Sequence, residues 1–265
     1  GHTAIEVIDA HDLRGNDPFV LLMDDRIDLG DVRKEMGGAH PHAGLETVTL
    51  VLDGTLDDRD EGTLHPGDAL WMTAGRGIIH SEEIVMTGKV RVLQLWIRLP
   101  ATNRFAPPGF ELVAAATQPV HKADGVVVRL YSGTSNGLTS TTTNYAPVTM
   151  ADIRLQADKH VEQELPATYN GFFYVVDGSV IVDGTELKKG QVGWLAIDSS
   201  TTMSTLSMTG GAGGGRAILY AGQPQNEALV HHGPFIAGNH DEIGMMFHQY
   251  RDGRFTKLST LSPRK

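Results

Sequence analysis

Two stretches of this chain repeat one another. Val51-Leu52-Asp53-Gly54 is answered by Val175-Val176-Asp177-Gly178, and Pro66-Gly67-Asp68-Ala69-Leu70-Trp71 by Lys189-Gly190-Gln191-Val192-Gly193-Trp194. Gly54 and Gly178 are 124 positions apart, whereas Gly67 and Gly190, like Trp71 and Trp194, are 123 apart. A one-residue deletion inside the hairpin reconciles the two offsets. Duplication on this scale predicts two similar folding units. The 265 residues are enough to give them real cores without disulfide staples. We place the units at 1–125 and 126–265, with Pro100 to Pro108 and the polar Gly133–Asn144 stretch as connecting loops.

Short apolar or alternating runs recur along both halves: Thr47–Leu52, Ala69–Met72, Val90–Leu99, Val126–Tyr131, Phe172–Val176, Val180–Val182, Gln191–Ile197 and Arg216–Tyr220. Asp53-Gly54, Asp177-Gly178 and Asp183-Gly184 stand between them as hairpin signals. There are 31 glycines, above the usual ~7%, in keeping with many tight turns. Helical periodicity is confined to His240–Arg251, with Asn239 as N-cap, Glu242 three residues on, and Gly253 as the stop. The expected fold is all-β: two tandem jelly-roll β-barrels followed by a short C-terminal helix.

Composition removes several function classes. Without cysteine there is no disulfide, zinc-thiolate site or thiol nucleophile. A net charge of −10 has the wrong sign for direct nucleic-acid binding. No apolar run is long enough for a membrane span, and the start carries no signal-peptide pattern, so a cytoplasmic protein is expected. The opening Gly1-His2 resembles a tag remnant.

The chemistry concentrates in two short segments. His40-Pro41-His42 sets two imidazoles at i and i+2, which share one face of an extended chain. His80-Ser81-Glu82 repeats the spacing with a carboxylate. Two neighbouring strands offering these pairs would supply three imidazoles and one carboxylate to one ion. That donor set suits borderline first-row metals.

The segments HPHAGLETVTLVLDG and PGDALWMTAGRGIIHSE, together with Leu93-Gln94-Leu95-Trp96, Gly233-Pro234-Phe235 and the Asn239–Arg251 region, closely resemble the pirin family of bicupins. The resemblance implies metal ligands at His40, His42, His80 and Glu82, with Glu82 serving also as base. It implies one divalent transition metal, Fe(II) foremost, with Ni, Co, Cu, Mn or Zn as other occupants. It further implies a quercetin 2,3-dioxygenase-like activity on a flavonol and O2 that releases carbon monoxide. The alternative within the same family is a regulator that binds a protein partner, with the metal as structural element or redox sensor. Two departures flank the site: Ala43 where pirins usually carry arginine, and Leu45 where phenylalanine is common.

Glu46 competes with Glu82, because the general cupin pattern places a glutamate four residues after the second histidine. Four extended residues span roughly 13 Å, so Glu46 reaches the ion only if the chain bends, for example at Gly44. Glu82 shares the face of His80 without a bend, so we assign Glu82 as ligand and leave Glu46 as a supporting or structural residue. By the repeat offsets, His40, His42 and His80 fall on Glu164, Pro166 and Met203. No metal is therefore expected in the second unit.

Other features are read as structural. Gly133-Thr134-Ser135-Asn136-Gly137 fits a nucleophile elbow but lacks the following helix. Gly75-Arg76-Gly77 lacks the third glycine and the helix of a dinucleotide fingerprint. Gly210–Gly215 is expected to be a flexible turn, Asp57–Glu61 a solvated hairpin tip, and His160, His231 and His232 solvated loop residues. Trp71, Met72 and Trp96 are expected in the core or a pocket wall.

Overall fold

The computed structural model describes residues 1–30, 34–36, 38–58, 60–81, 84–86 and 88–264. Their contacts form two compact units. The first comprises Gly1–Ala115, Thr143–Ala146 and Gln225–Lys265; the second comprises Ala116–Thr142 and Pro147–Pro224. The expected split at 125/126 assigned the whole C-terminal region to the second half. The contacts instead return residues 225–265 to the first unit and begin the second about ten residues earlier.

In the first unit, a six-stranded antiparallel sheet runs in the order His2–Glu6, Phe19–Asp28, Lys89–Arg98, Leu45–Asp53, Ala69–Thr73, Gly109–Val113. Leu45–Asp53 lies at its centre, and its side chains are buried on both faces, as the apolar run Leu50 to Leu52 requires. Fully burying each such side chain contributes about 1.5–3 kcal/mol. A four-stranded sheet joins Lys34–Met36, Ile84–Met86, Leu56–Asp58 and Gly62–Leu64. A third sheet pairs Ala39–His42 with Ile78–Ser81 and adds Thr256–Lys257 in parallel on the outer edge. The C-terminal tail thus supports one of the strands that carry the histidines.

The helix His240–Arg251 forms as expected. The Asn239 side chain accepts the Glu242 N–H at 2.8 Å, while the Glu242 carboxylate takes the Gly238 N–H at 2.9 Å. Gly253 closes it at φ +69°. Its buried residues Ile243 and Met246 pack with Phe235, Ala237, Phe255 and Ala43.

The main sheet of the second unit is eight-stranded and antiparallel. It is built around Asn170–Val182 and the 20-residue strand Met203–Gly222. Two expectations change here. Asp177-Gly178 is not a hairpin turn: the strand continues through it with a bulge. The Gly210–Gly215 stretch is not a flexible turn but part of Met203–Gly222. Gly210, Gly211 and Gly215 lie so close to Gln156 and Ser179 that a Cβ would approach within 2.2 Å of atoms there. Glycine at these points lets neighbouring chain pack against the strand. Asp183-Gly184 does turn the chain, joining Val182 to Thr185 with φ of +49° and +74°. The elbow-like Gly133–Gly137 is a small hairpin between Thr134–Ser135 and Leu138–Thr139.

The duplication extends to a feature that the aligned motifs do not show. In the first unit the fully buried Asp24 takes a bidentate pair from Arg91 at 2.9 and 2.8 Å and a further bond from Arg26 at 2.6 Å. In the second, buried Asp152 takes Arg216 at 3.0 and 2.9 Å and Arg154 at 2.9 Å. Arg91 and Arg216 stand opposite Asp53 and Asp177, and each lies beside a bulge in its ladder. In both bulges a Cβ on the next residue, Gly54 or Gly178, would strike a carbonyl oxygen at 2.3 or 2.2 Å. The repeated Asp-Gly pair therefore marks a bulge beside a buried ion-pair cluster, in each unit.

Candidate metal centre

Ala39–His42 pairs with Ile78–Ser81 in a register that sets His40 opposite His80. The alternation of the first strand turns His42 toward the same place. One nitrogen from each of His40, His42 and His80 lies within 4.8 Å of the other two. His42 and His80 are only 3% and 4% exposed. Glu82 lies outside the described residues.

The hydrogen bonds fix which nitrogen each ring offers. Nδ1–H of His40 donates to the Gly38 carbonyl at 2.9 Å, and Nδ1–H of His80 donates to Oε1 of Glu61 at 3.1 Å. Neutral rings bonded in this way present bare lone pairs at Nε2. The two Nε2 atoms face each other at 2.9 Å. Two lone pairs repel at that separation unless a proton or cation lies between them. Nitrogens each ~2.1 Å from one ion and at right angles to one another would lie ~3.0 Å apart. Nδ1 of His42 is buried with no partner in normal hydrogen-bonding geometry. Burial first, then the neighbouring His80 and His40 rings, hold the His42 pKa down at about 3, against a weak pull from the Pro234 carbonyl. His42 therefore stays neutral and able to donate to a metal. The donor set fits a single divalent ion.

Glu46 does not join this group. The chain does bend at Gly44, where φ is +78° and a Cβ would meet the Ile236 carbonyl oxygen at 1.8 Å. Beyond the bend, the fully buried Glu46 carboxylate accepts the Thr73 hydroxyl at 2.8 Å, the Tyr145 N–H at 3.1 Å and the Ala146 N–H at 3.4 Å. Burial raises its pKa despite these donors. Its work is to hold residues 143–146 against the first unit's main sheet.

The expected solvated tip at Asp57–Glu61 is corrected in part. Asp58 and Glu61 are buried at 5% and 7% exposure, and Glu61 touches His80. Nothing in the local acidic pattern distinguishes these two from their solvated neighbours. Only the folding of that turn over Ile78–Ser81 does so. Trp71 and Met72 are core residues, whereas the half-buried Trp96 stands edge-on to the His42 ring at 5.0 Å between centroids and has the His231 ring at 6.3 Å. His231, His232 and His160 are exposed as expected, although they sit on short strands rather than loops. A separate cavity of about 820 Å³ in the second unit has an apolar floor of Val126, Val128 and Leu130. No cluster of metal-type donors occurs in that unit among the described residues.

The Pirin family model matches residues 3–97, and the model of the pirin C-terminal cupin domain matches residues 150–256. A pirin-like protein of Solanum lycopersicum is 33% identical over 259 residues, spanning 92% of this chain and 83% of its own. The chain belongs to the pirin family. A protein of Geobacillus kaustophilus is 36% identical with a TM-score of 0.77, covering 85% of this chain and 91% of its own. A quercetin 2,3-dioxygenase of Acinetobacter baumannii is 25% identical with a TM-score of 0.84, covering 96% and 92%. The architecture is accordingly all-β, two cupin domains with a short C-terminal helix. No helix among the described residues is long and apolar enough to cross a membrane. Ala43 is fully buried against Phe235 and the helix, and Leu45 is fully buried in the main core.

Proposed function

We propose that this pirin is a metal-dependent dioxygenase that opens the ring of a flavonol-like, quercetin-type aromatic with O2, releasing one ring carbon as carbon monoxide. The observation that supports this most directly is the convergence of His40, His42 and His80, with the Nδ1–H groups of His40 and His80 turned outward. The similarity to the Acinetobacter baumannii enzyme supplies the reaction class.

In this proposal His40, His42, His80 and Glu82 hold the ion. Glu82 belongs to the set because it lies two positions after His80, and alternate residues of an extended chain share a face. When bound, a divalent first-row ion, Fe(II) in our reading, acidifies the substrate hydroxyl and leaves positions open for substrate and oxygen. The protein does the rest. A carboxylate oxygen of Glu82 takes the hydroxyl proton, and Trp96 provides an apolar wall beside His42 that keeps water from the organic anion.

The test is anaerobic metal analysis followed by oxygen uptake and carbon monoxide detection with a small panel of flavonols. One metal per chain and turnover in step with oxygen uptake are expected, and both should vanish in His80→Ala while the fold persists. A fully loaded wild-type protein that turns over no flavonol would overturn the dioxygenase assignment.

A further inference from the structure

We infer that Glu61 is a positioning residue for the metal centre: by accepting Nδ1–H of His80, it fixes the ring's orientation and tautomer so that Nε2 faces the ion. The inference rests on the metal-binding role proposed for His80.

Glu61 stands on the turn between Leu56–Asp58 and Gly62–Leu64, and its carboxylate meets the His80 ring at Nδ1, across the ring from the Nε2 that faces His40. It is thus not a ligand in this arrangement but a support behind one. The turn is itself braced. Oδ1 of the buried Asp58 accepts the N–H groups of Asp60 and Glu61, both at 2.8 Å. Asp58 shapes the turn, the turn delivers Glu61, and Glu61 aims His80. A carboxylate in this position does two things that a neutral acceptor does only in part. It excludes the tautomer with a proton on Nε2, and its negative charge makes Nε2 a better electron-pair donor. His40 gains the first effect from the Gly38 carbonyl but not the second. A carboxylate is costly to place in a buried site, and a charged partner for a metal-binding imidazole accounts for its presence there.

The experiment uses the full chain with Glu61→Gln, which keeps an acceptor and removes the charge, and Glu61→Ala, which removes both. In the metal-free protein, proton–nitrogen NMR of ring-labelled histidine should show a protected Nδ1–H on His80 in wild type and in Glu61→Gln, and its loss in Glu61→Ala. Zinc titration should then give an affinity about 10–100-fold weaker in Glu61→Ala, with Glu61→Gln in between. Urea unfolding alongside separates the alternatives, since a purely structural residue would lower stability while leaving zinc affinity at the wild-type value. If Glu61→Ala does not fold, the reduced affinity of Glu61→Gln decides. Wild-type zinc affinity in both variants, or no protected Nδ1–H on His80 in wild type, would overturn the inference. Failure of the wild-type protein itself to bind zinc would instead remove the metal site, and the positioning role with it.

Discussion

Replacing Glu46 by Gln separates structural support from metal ligation. Oε1 of Glu46 accepts from the Thr73 hydroxyl and the Tyr145 N–H, and Oε2 accepts from the Ala146 N–H at 3.4 Å. A glutamine can keep its oxygen where Oε1 lies and retain the two shorter bonds. Its amino group must then face the Ala146 N–H, donor against donor, in a fully buried site. One lost bond and unsatisfied donors amount to about 1–2 kcal/mol. At this chain length that lowers Tm by roughly 2–8 °C. The pH dependence supplies a second mark. Burial raises the Glu46 carboxyl above its ordinary 4.5, so the folded state holds its proton longer than the unfolded one. Its contribution is full below the ordinary value and is lost as pH rises from there through the folded pKa. Glu46→Gln should flatten that slope while leaving zinc stoichiometry at the wild-type value. Glu82→Gln should do the reverse, with little change in stability but weakened metal binding and most turnover lost. Urea unfolding across pH and zinc titration on both variants provide the readouts. Greater metal loss in Glu46→Gln than in Glu82→Gln would refute the assignment.

Three further outcomes are expected. Gly44→Ala forces a left-handed alanine, costing about 1–2 kcal/mol. It also drives a Cβ into the Ile236 carbonyl, disturbing the Ile236 N–H bond to the Ala43 carbonyl. Chemical denaturation should show a total loss of about 2–4 kcal/mol, and a loss under 1 kcal/mol would mean that the bend tolerates a side chain. Asp152→Asn should cost about 2–3 kcal/mol, less than a fully buried pair because Arg154 is half exposed. Burial pushes the Asp152 carboxyl up, but Arg216 and Arg154 outweigh it and hold the pKa below its ordinary 3.8. The wild-type protein should therefore lose stability as pH falls from 3.8 through the lower folded value, and the variant should lack that step. Anomalous scattering at the absorption edge of a loaded metal should show one strong site per chain, beside His40, and none within residues 150–220.

What the sequence determines by itself is whatever depends on local periodicity. The i, i+2 spacing of His40 and His42 places both on one face because a strand alternates with period two, and the expected helix follows from Asn239, Glu242 and Gly253 for equally local reasons. The duplication is legible for the same reason, since Asp-Gly and Gly-to-Trp spacings survive within each half. What only the tertiary structure decides is which distant groups meet. Asp177-Gly178 has the composition of a turn, yet the strand Asn170–Val182 runs on through it as a bulge, with Gly178 at φ +62° and the neighbouring strand close beside it. Glu46 is spaced like a ligand but is taken by backbone donors about 100 residues away. Asp24 and Asp152 reveal their equivalence only once Arg91 and Arg216 arrive from other strands. Glu61 looks like one acid among several on a charged tip, and becomes the partner of His80 because a turn braced by Asp58 closes over that strand. Side-chain alternation is a property of a few consecutive residues, whereas burial and hydrogen-bond partnership belong to the packed chain.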